Sequence, residues 1–354
     1  MKTKILHPGN LLSFILVTSL FLMWGLANNM TDTLLAAFKK IMSMTDFQTS
    51  WIQIAFYGSY FLLALPAAIF IKKFTYKAGI LMGLGLFVGG ALLFLPASHT
   101  QVYGHFLTGL FVLAGGLSIL ETSSNPYIIA MGPEETGTRR LNLAQSFNPI
   151  GSILGVFLSK LFILSNLNSA DAAERASMSK EQLEVVQTQE LSAVMGPYVG
   201  VAFVLVLIWI MIAVVKMPKA SDVGASLDFL PTFKRLLKNR RYTSGVIAQF
   251  FYVGAQIGVW SFTIRYVMQE LDINEANSSS YYLAALILFS LSRFIFTGLM
   301  KFFKPGNLLT ISALLALVST LFVIFGGGYV GVIALIAISG FMSLMFPTIF
   351  GLSV

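Results

Sequence analysis

Ten stretches of this chain are each long and apolar enough to cross a bilayer. A transmembrane helix needs about 20 consecutive, mostly apolar residues. By that rule the spans fall at 11–38, 49–71, 78–97, 103–130, 141–165, 194–217, 242–268, 280–300, 307–326 and 328–354. Nothing constrains the fold more, because in hydrocarbon each backbone N–H and C=O must be satisfied internally, which makes spans of this length helices. The composition agrees: 56% of the 354 residues are hydrophobic and 11% are charged, against about 25% charged in a soluble domain. A soluble enzyme, a disordered tail and a disulfide-stapled secreted domain are excluded, the last because the chain has no cysteine. The first span follows Lys2 and Lys4 but is too long for a signal-peptide core and lacks a small-residue cleavage site, so it is read as a retained helix.

Basic residues are held back on the cytoplasmic side of a membrane, and their positions predict how this chain threads. Alternate segments carry Lys2 and Lys4; Lys72, Lys73 and Lys77; Arg139 and Arg140; a group of seven from Lys216 to Arg241; and Lys301 and Lys304. The opposite segments carry Lys39, Lys40, Arg175 and Lys180. Sixteen against four places the N-terminus and the 218–241 connection in the cytoplasm. The net charge of +8 is thereby explained by topology, and nucleic acid is not needed as a partner. Two connections are long, 166–193 and 218–241, and the second divides the spans into six before and four after.

Ionisable groups inside a span are costly and mark function. Of fifteen acidic residues, thirteen lie in loops or at span ends, and the exceptions are Asp32 and Glu121. Trp24, Asn28 and Asp32 are spaced by four and share one helix face. A second reading makes Thr31 or Asp32 the cap of a helix restarting near the outer surface, although a cap does not require an amide and a tryptophan on the same stripe. Glu121 and Asn125 are also four apart, with Pro126 freeing a carbonyl one turn back. The alternative for Glu121 is a neutral structural acid bonded to a neighbouring helix, still a protonatable group in a low dielectric.

Asn142, Gln145 and Asn148 recur every three residues, a pattern for lining a wet cavity or for interhelical amide bonds. Gln249, Tyr252, Gln256 and Trp260 put amides and aromatics on one face, which suits a sugar: hydroxyls meet amides while the C–H face stacks on a ring. Helix glue with lipid-facing aromatics is the other reading. Arg265 sits where it can snorkel to water, and Arg293 where it can pair with a loop acid or a phospholipid; neither is assigned to the site. The three histidines do not cluster for a metal, no nucleotide-binding loop or nucleophilic triad is present, and no cofactor is predicted.

The stretches 24–32 (WGLANNMTD), 120–127 (LETSSNPY), 140–148 (RLNLAQSFN) and 252–256 (YVGAQ) together closely resemble the fucose permease family, sugar:proton symporters of the major facilitator superfamily. Residues 264–266 (IRY) and 346–350 (FPTIF) extend the likeness over essentially the whole chain. The resemblance implies an all-α major facilitator fold: a six-helix N-terminal bundle (1–217), a cytoplasmic linker (218–241) and a C-terminal bundle (242–354), arranged around a central cavity in a bacterial-type inner membrane. It also implies that Asp32 carries the proton and that Glu121 couples protonation to sugar. Asn29, Gln145, Asn148 and Gln256 would contact hydroxyls, and Trp24 and Trp260 would pack on the sugar face; Asn28, Asn125 and Tyr252 complete the candidate set.

Three departures stand out. Phe346 replaces a tyrosine typical of the family, removing a hydroxyl donor and leaving the exact sugar open. Residues 72–77 lack the acidic partner of the general superfamily motif. After Val354 the family continues for two more helices, so the C-terminal bundle is read as four-span and truncated, leaving the helix that packs on span 2 outside the chain. The expected activity is proton-driven uptake of a small neutral monosaccharide, L-fucose or a close relative, by alternating access. A glucose/galactose-type carrier of the same family is the alternative. A non-transporting sugar sensor, an exporter of apolar cations and a membrane enzyme are progressively disfavoured: there is no signalling domain or docking tail for a protein partner, the polar stripes are amide-rich, and no catalytic constellation accompanies the two acids.

Overall fold

The computed structural model describes residues 4–42, 44–100, 102–168, 170, 172–218 and 229–354, without the side chains of 31–36, 38, 40, 46, 164, 172, 173, 176, 229 and 276. Every long element among them is helical: α1 (Leu11–Ile41), α2 (Asp46–Lys73), α3 (Tyr76–Thr100), α4 (Tyr103–Ala130), α5 (Gly137–Gln145), α6 (Phe147–Leu158), α7 (Ala172–Ser177), α8 (Lys180–Val214), α9 (Phe229–Lys238), α10 (Arg240–Leu271), α11 (Glu275–Leu299), α12 (Pro305–Phe325), α13 (Gly328–Met342) and α14 (Met345–Ser353). These supply ten membrane-length apolar spans among the described residues, one for each expected from the sequence.

The structure corrects the connections. Residues 180–193, expected to be loop, are the first turns of α8. Ser179 caps that helix by accepting the Gln182 N–H at 3.3 Å, and the Gln182 carboxamide accepts the Ser179 N–H at 3.1 Å. A hydropathy rule misses these turns because they are polar, whereas reciprocal capping sets the true start. The 218–241 connection likewise contains α9, and its residues 219–228 lie outside the description.

Two spans expected to be continuous are broken. Span 5 consists of α5 and α6 parted at Ser146, followed by a π-helical stretch at Ser159–Ile163. Span 10 consists of α13 and α14 parted at Ser343 and Leu344. The cause of each break lies three or four residues on. Pro149 and Pro347 bring no N–H to the carbonyls of Gln145 and Ser343, their partners four residues back.

The chain packs as two compact units. The first comprises residues 8–127 and 150–227, and the second comprises 1–7, 128–149 and 228–354. Compared with the bundles 1–217 and 242–354, the difference lies in residues 1–7, the end of α4, α5 and the first residues of α6, which group with the C-terminal helices. Local contacts explain it: a β-carbon at Gly351 would press on Thr138, and the Asn142 amide donates to the Thr348 hydroxyl at 3.1 Å.

In the first unit, α1 lies directly on α6. Gly151 and Gly155, four residues apart, face the α1 backbone, and a β-carbon at Gly151 would collide with the Leu22 carbonyl. On one end of this unit Arg175 and Glu190, each 2% exposed, form a two-pronged ion pair. Glu190 also accepts the Asn168 N–H at 2.8 Å, and Gln187 donates to the Ile41 carbonyl at 2.7 Å, so the extension of α8 holds the end of α1.

In the second unit the core is Tyr252, Phe289, Leu335, Ile338, Met342, Met345 and Ile349. Arg140, fully buried, donates to the carbonyls of Ile5, Ile128, Ile129 and Gly132 and to the Thr136 hydroxyl. It thereby satisfies last-turn carbonyls of α4 that have no partner in their own helix, and pins residues 5–7 beside them.

Candidate functional site

The sequence-predicted residues of the first unit come from α1 and α4. Trp24 is half-buried, and its indole N–H donates to the Tyr60 hydroxyl of α2 at 3.0 Å. One turn on, the Asn28 carboxamide oxygen is buried with no hydrogen-bond partner among the described residues. The Asn29 amide donates to the Gly25 carbonyl of its own helix at 3.2 Å. Asp32 has its backbone in α1, but its side chain lies outside the described residues.

Glu121 is half-buried on α4 and makes no hydrogen bond or ion pair among the described residues. Asn125, one turn further, is 2% exposed and bonded. The Ser118 hydroxyl, three residues before Glu121, donates to the Tyr60 carbonyl at 3.0 Å, and Ser59 donates to the Phe111 carbonyl at 2.7 Å. These two bonds tie α2 to α4 and set Tyr60, already bonded to Trp24, against the turn of α4 that leads to Glu121. The sequence offered no signal for Tyr60, since an aromatic in span 2 reads as ordinary packing. What the arrangement can do chemically follows from valence. The Tyr60 oxygen already accepts from Trp24, so its own O–H remains to donate, while Glu121 is an acceptor when ionised.

The predicted residues of the second unit divide into engaged and open groups. Tyr252 is 7% exposed, and its hydroxyl donates to the Met342 carbonyl at 3.0 Å, where span 10 breaks. It supports that break, a role its place on a polar stripe did not reveal. Trp260 donates to the Ser339 hydroxyl at 3.3 Å and meets Phe289 edge-on, ring centroids 5.0 Å apart. Phe346 packs half-buried on the core. Gln145 is buried and bonded, Asn148 is half-buried and bonded, and Gln256 is half-buried. Gln249 has both amide heteroatoms buried without a partner among the described residues. It borders a hollow of ≈ 850 Å³ along α10 lined also by Val246, Phe250, Phe251, Val253, Gly254 and Ala255, an apolar surface that includes neither Tyr252, Gln256 nor Trp260.

The two intramembrane arginines behave differently from each other. Arg265 is exposed, its guanidinium 6.0 Å from the Phe262 ring centre. Arg293 is 4% exposed and pairs with no acid among the described residues, which do not include Asp222 and Asp228 of the cytoplasmic connection. Its Nε donates to the Ser343 carbonyl, its Nη1 donates to the Gln145 carbonyl at 3.0 Å, and the guanidinium lies 4.5 Å from the Phe289 ring centre. Lys160 sits exposed in the π-helical stretch of span 5. Among the described residues no group of three or more His, Cys, Asp or Glu side chains could hold a metal ion.

Comparison with known proteins agrees with this framework. The family model of the Major Facilitator Superfamily matches residues 12–354. The L-fucose-proton symporter of Haemophilus influenzae is 42% identical over 360 residues, covering 100% of this chain and 84% of the relative. That of Escherichia coli is 40% identical over 349 residues, covering 97% and 80%. A glucose/galactose transporter of Brucella abortus is 31% identical over 342 residues, covering 95% and 78%. The crystal structure of the Escherichia coli fucose:proton symporter superposes with a TM-score of 0.91 at 38% identity, over 97% of this chain and 84% of that one. These relatives are transporters rather than enzymes. Ten helical spans, a family match over nearly the whole chain and close likeness to these symporters converge: the chain is a multi-pass membrane protein of the major facilitator superfamily and belongs, within it, to the fucose permease family.

Proposed function

We propose that the protein takes up L-fucose together with a proton across a bacterial inner membrane by alternating access. The observation that carries this reading is the 40% and 42% identity, over nearly the full chain, to two L-fucose-proton symporters. Asp32 carries the proton and Glu121 links protonation to sugar binding. Trp24, Asn28, Asn29 and Asn125 in the first unit, and Gln145, Asn148, Tyr252, Gln256, Trp260 and Phe346 in the second, supply the sugar's amide and aromatic contacts or the frame that holds them. Protonation of Asp32 from outside removes a charge that hydrocarbon disfavours; sugar then binds, and both are released inside. The N-terminus is cytoplasmic, as the distribution of basic residues requires. Lipid is the surrounding solvent, and neither nucleic acid nor an obligate protein partner takes part.

The test is transport by purified protein in liposomes. Asp32→Asn should retain exchange of labelled L-fucose but lose accumulation driven by a pH gradient, and Glu121→Gln should lose coupling together with sugar affinity. Accumulation against a gradient by Asp32→Asn would remove Asp32 from the mechanism. A glucose/galactose reading is favoured by the 31% identical Brucella abortus transporter and by Phe346. Counterflow with a panel of sugars separates the two, since only the preferred sugar competes at low concentration.

A further inference from the structure

Arg293 is a buried cation whose hydrogen bonds go to two backbone carbonyls, and both carbonyls have the same origin. In an unbroken helix the Gln145 carbonyl would accept the N–H of residue 149, and the Ser343 carbonyl that of residue 347. Both positions are proline, so neither carbonyl receives that helical N–H. The Arg293 Nη1 donates to the first at 3.0 Å, and its Nε donates to the second. The surroundings are consistent with a fixed joint: Phe294 meets Phe147 edge-on at 5.7 Å, the Thr297 hydroxyl donates to the Arg293 carbonyl at 2.7 Å, and Tyr252 fills the Met342 carbonyl beside the second break.

We propose that Arg293 is a positioning residue that replaces the two backbone hydrogen bonds removed by Pro149 and Pro347, and so sets the bends of spans 5 and 10. Those bends carry Gln145, Asn148 and Phe346, which the proposed function makes sugar contacts, so the inference rests on that reading for its consequence in binding. A guanidinium is suited to the task. It holds its charge at every physiological pH and presents N–H groups in a rigid fork, whereas the ammonium of lysine is a point donor. A hydrogen bond withdrawn from a backbone carbonyl in a low dielectric is costly enough for one fork to be kept where two helices break.

The test is a cycle of substitutions in the purified protein, reading L-fucose affinity by calorimetry and apparent unfolding temperature in detergent. In the native background Arg293→Gln should weaken fucose about tenfold, the scale of hydrogen bonds to a charged group, and lower the unfolding temperature. In a Pro149→Ala, Pro347→Ala background the alanine N–H groups fill both carbonyls, and Arg293→Gln should then cost less than about twofold in affinity and leave the unfolding temperature nearly unchanged. Arg293→Lys, which keeps the charge but not the fork, should fall between native and Arg293→Gln; it also serves where the glutamine variant does not fold in the native background. Equal costs in both backgrounds would overturn the proposal and make Arg293 a direct sugar contact or a general structural residue. Failure of the native protein to bind fucose would instead overturn the proposed function, and the unfolding-temperature cycle would still decide the role of Arg293.

Discussion

At the scale of single residues, the polar groups in this protein are sorted by whether their valences are already filled. Tyr252 and Trp260 each have a donor occupied by a neighbour, Met342 and Ser339 respectively. Tyr60 is the converse: it accepts from Trp24 and has a proton left, on the side of α2 that meets the Ser118 turn leading to Glu121. A sugar hydroxyl both donates and accepts, so an acceptor carboxylate and a donor phenol together complement one such group. Tyr60→Phe removes the donor and orphans the Trp24 N–H while keeping the ring, and about fivefold weaker sugar binding is expected from a net hydrogen bond of about 1 kcal/mol. Equilibrium binding of tritiated sugar measures it, and unchanged affinity would remove Tyr60 from the site. The two acids and the amide stripes draw attention in the sequence because polar residues stand out against apolar spans, and Trp24 because it shares a helix face with Asn28; their roles are those proposed above. Tyr60 and the carbonyl cage of Arg140 were not legible there, since each depends on partners distant in the chain.

At the scale of elements, hydropathy located the spans and was blind to their interruptions. Pro149 and Pro347 were plain in the sequence, but that their freed carbonyls converge on a single side chain is a fact of three dimensions. The polar start of α8 was hidden for the opposite reason: a window that seeks apolar residues stops where the helix leaves hydrocarbon, although Ser179 and Gln182 spell a capping box. Helix contacts were partly legible through small residues. Gly151 leaves no room for a side chain between α6 and the Leu22 carbonyl, whereas Gly58 on α2 has nothing within 4 Å of its would-be β-carbon. Gly151→Val is therefore expected to cost on the order of 3 kcal/mol through overpacking and to lower the yield of folded protein. Gly58→Ala should stay near native. Size-exclusion profiles after heating a detergent-solubilised series would check the contrast, and equal tolerance at both sites would contradict the close approach of α1 and α6.

At the scale of the whole molecule, the ten spans are the property most fully written in the sequence, and the basic-residue bias predicts how they thread. Reporter fusions test it: alkaline phosphatase joined after Lys77 should be inactive, and joined after Asn168 active, with the reverse pattern refuting the orientation. Grouping into compact units was less legible, because residues 128–149 belong by sequence to the first six spans yet share contacts with the last four. Arg293 carries a consequence at this scale as well. Unlike the two acids, it has no neutral form to adopt, so it responds to the membrane voltage in every state of the cycle. One elementary charge crossing the full field is worth about 2.3 kcal/mol per 100 mV. A step that carries Arg293 through even a fraction of that field registers as a capacitive current, measurable in a carrier that is exchanging sugar for sugar and moving no net proton.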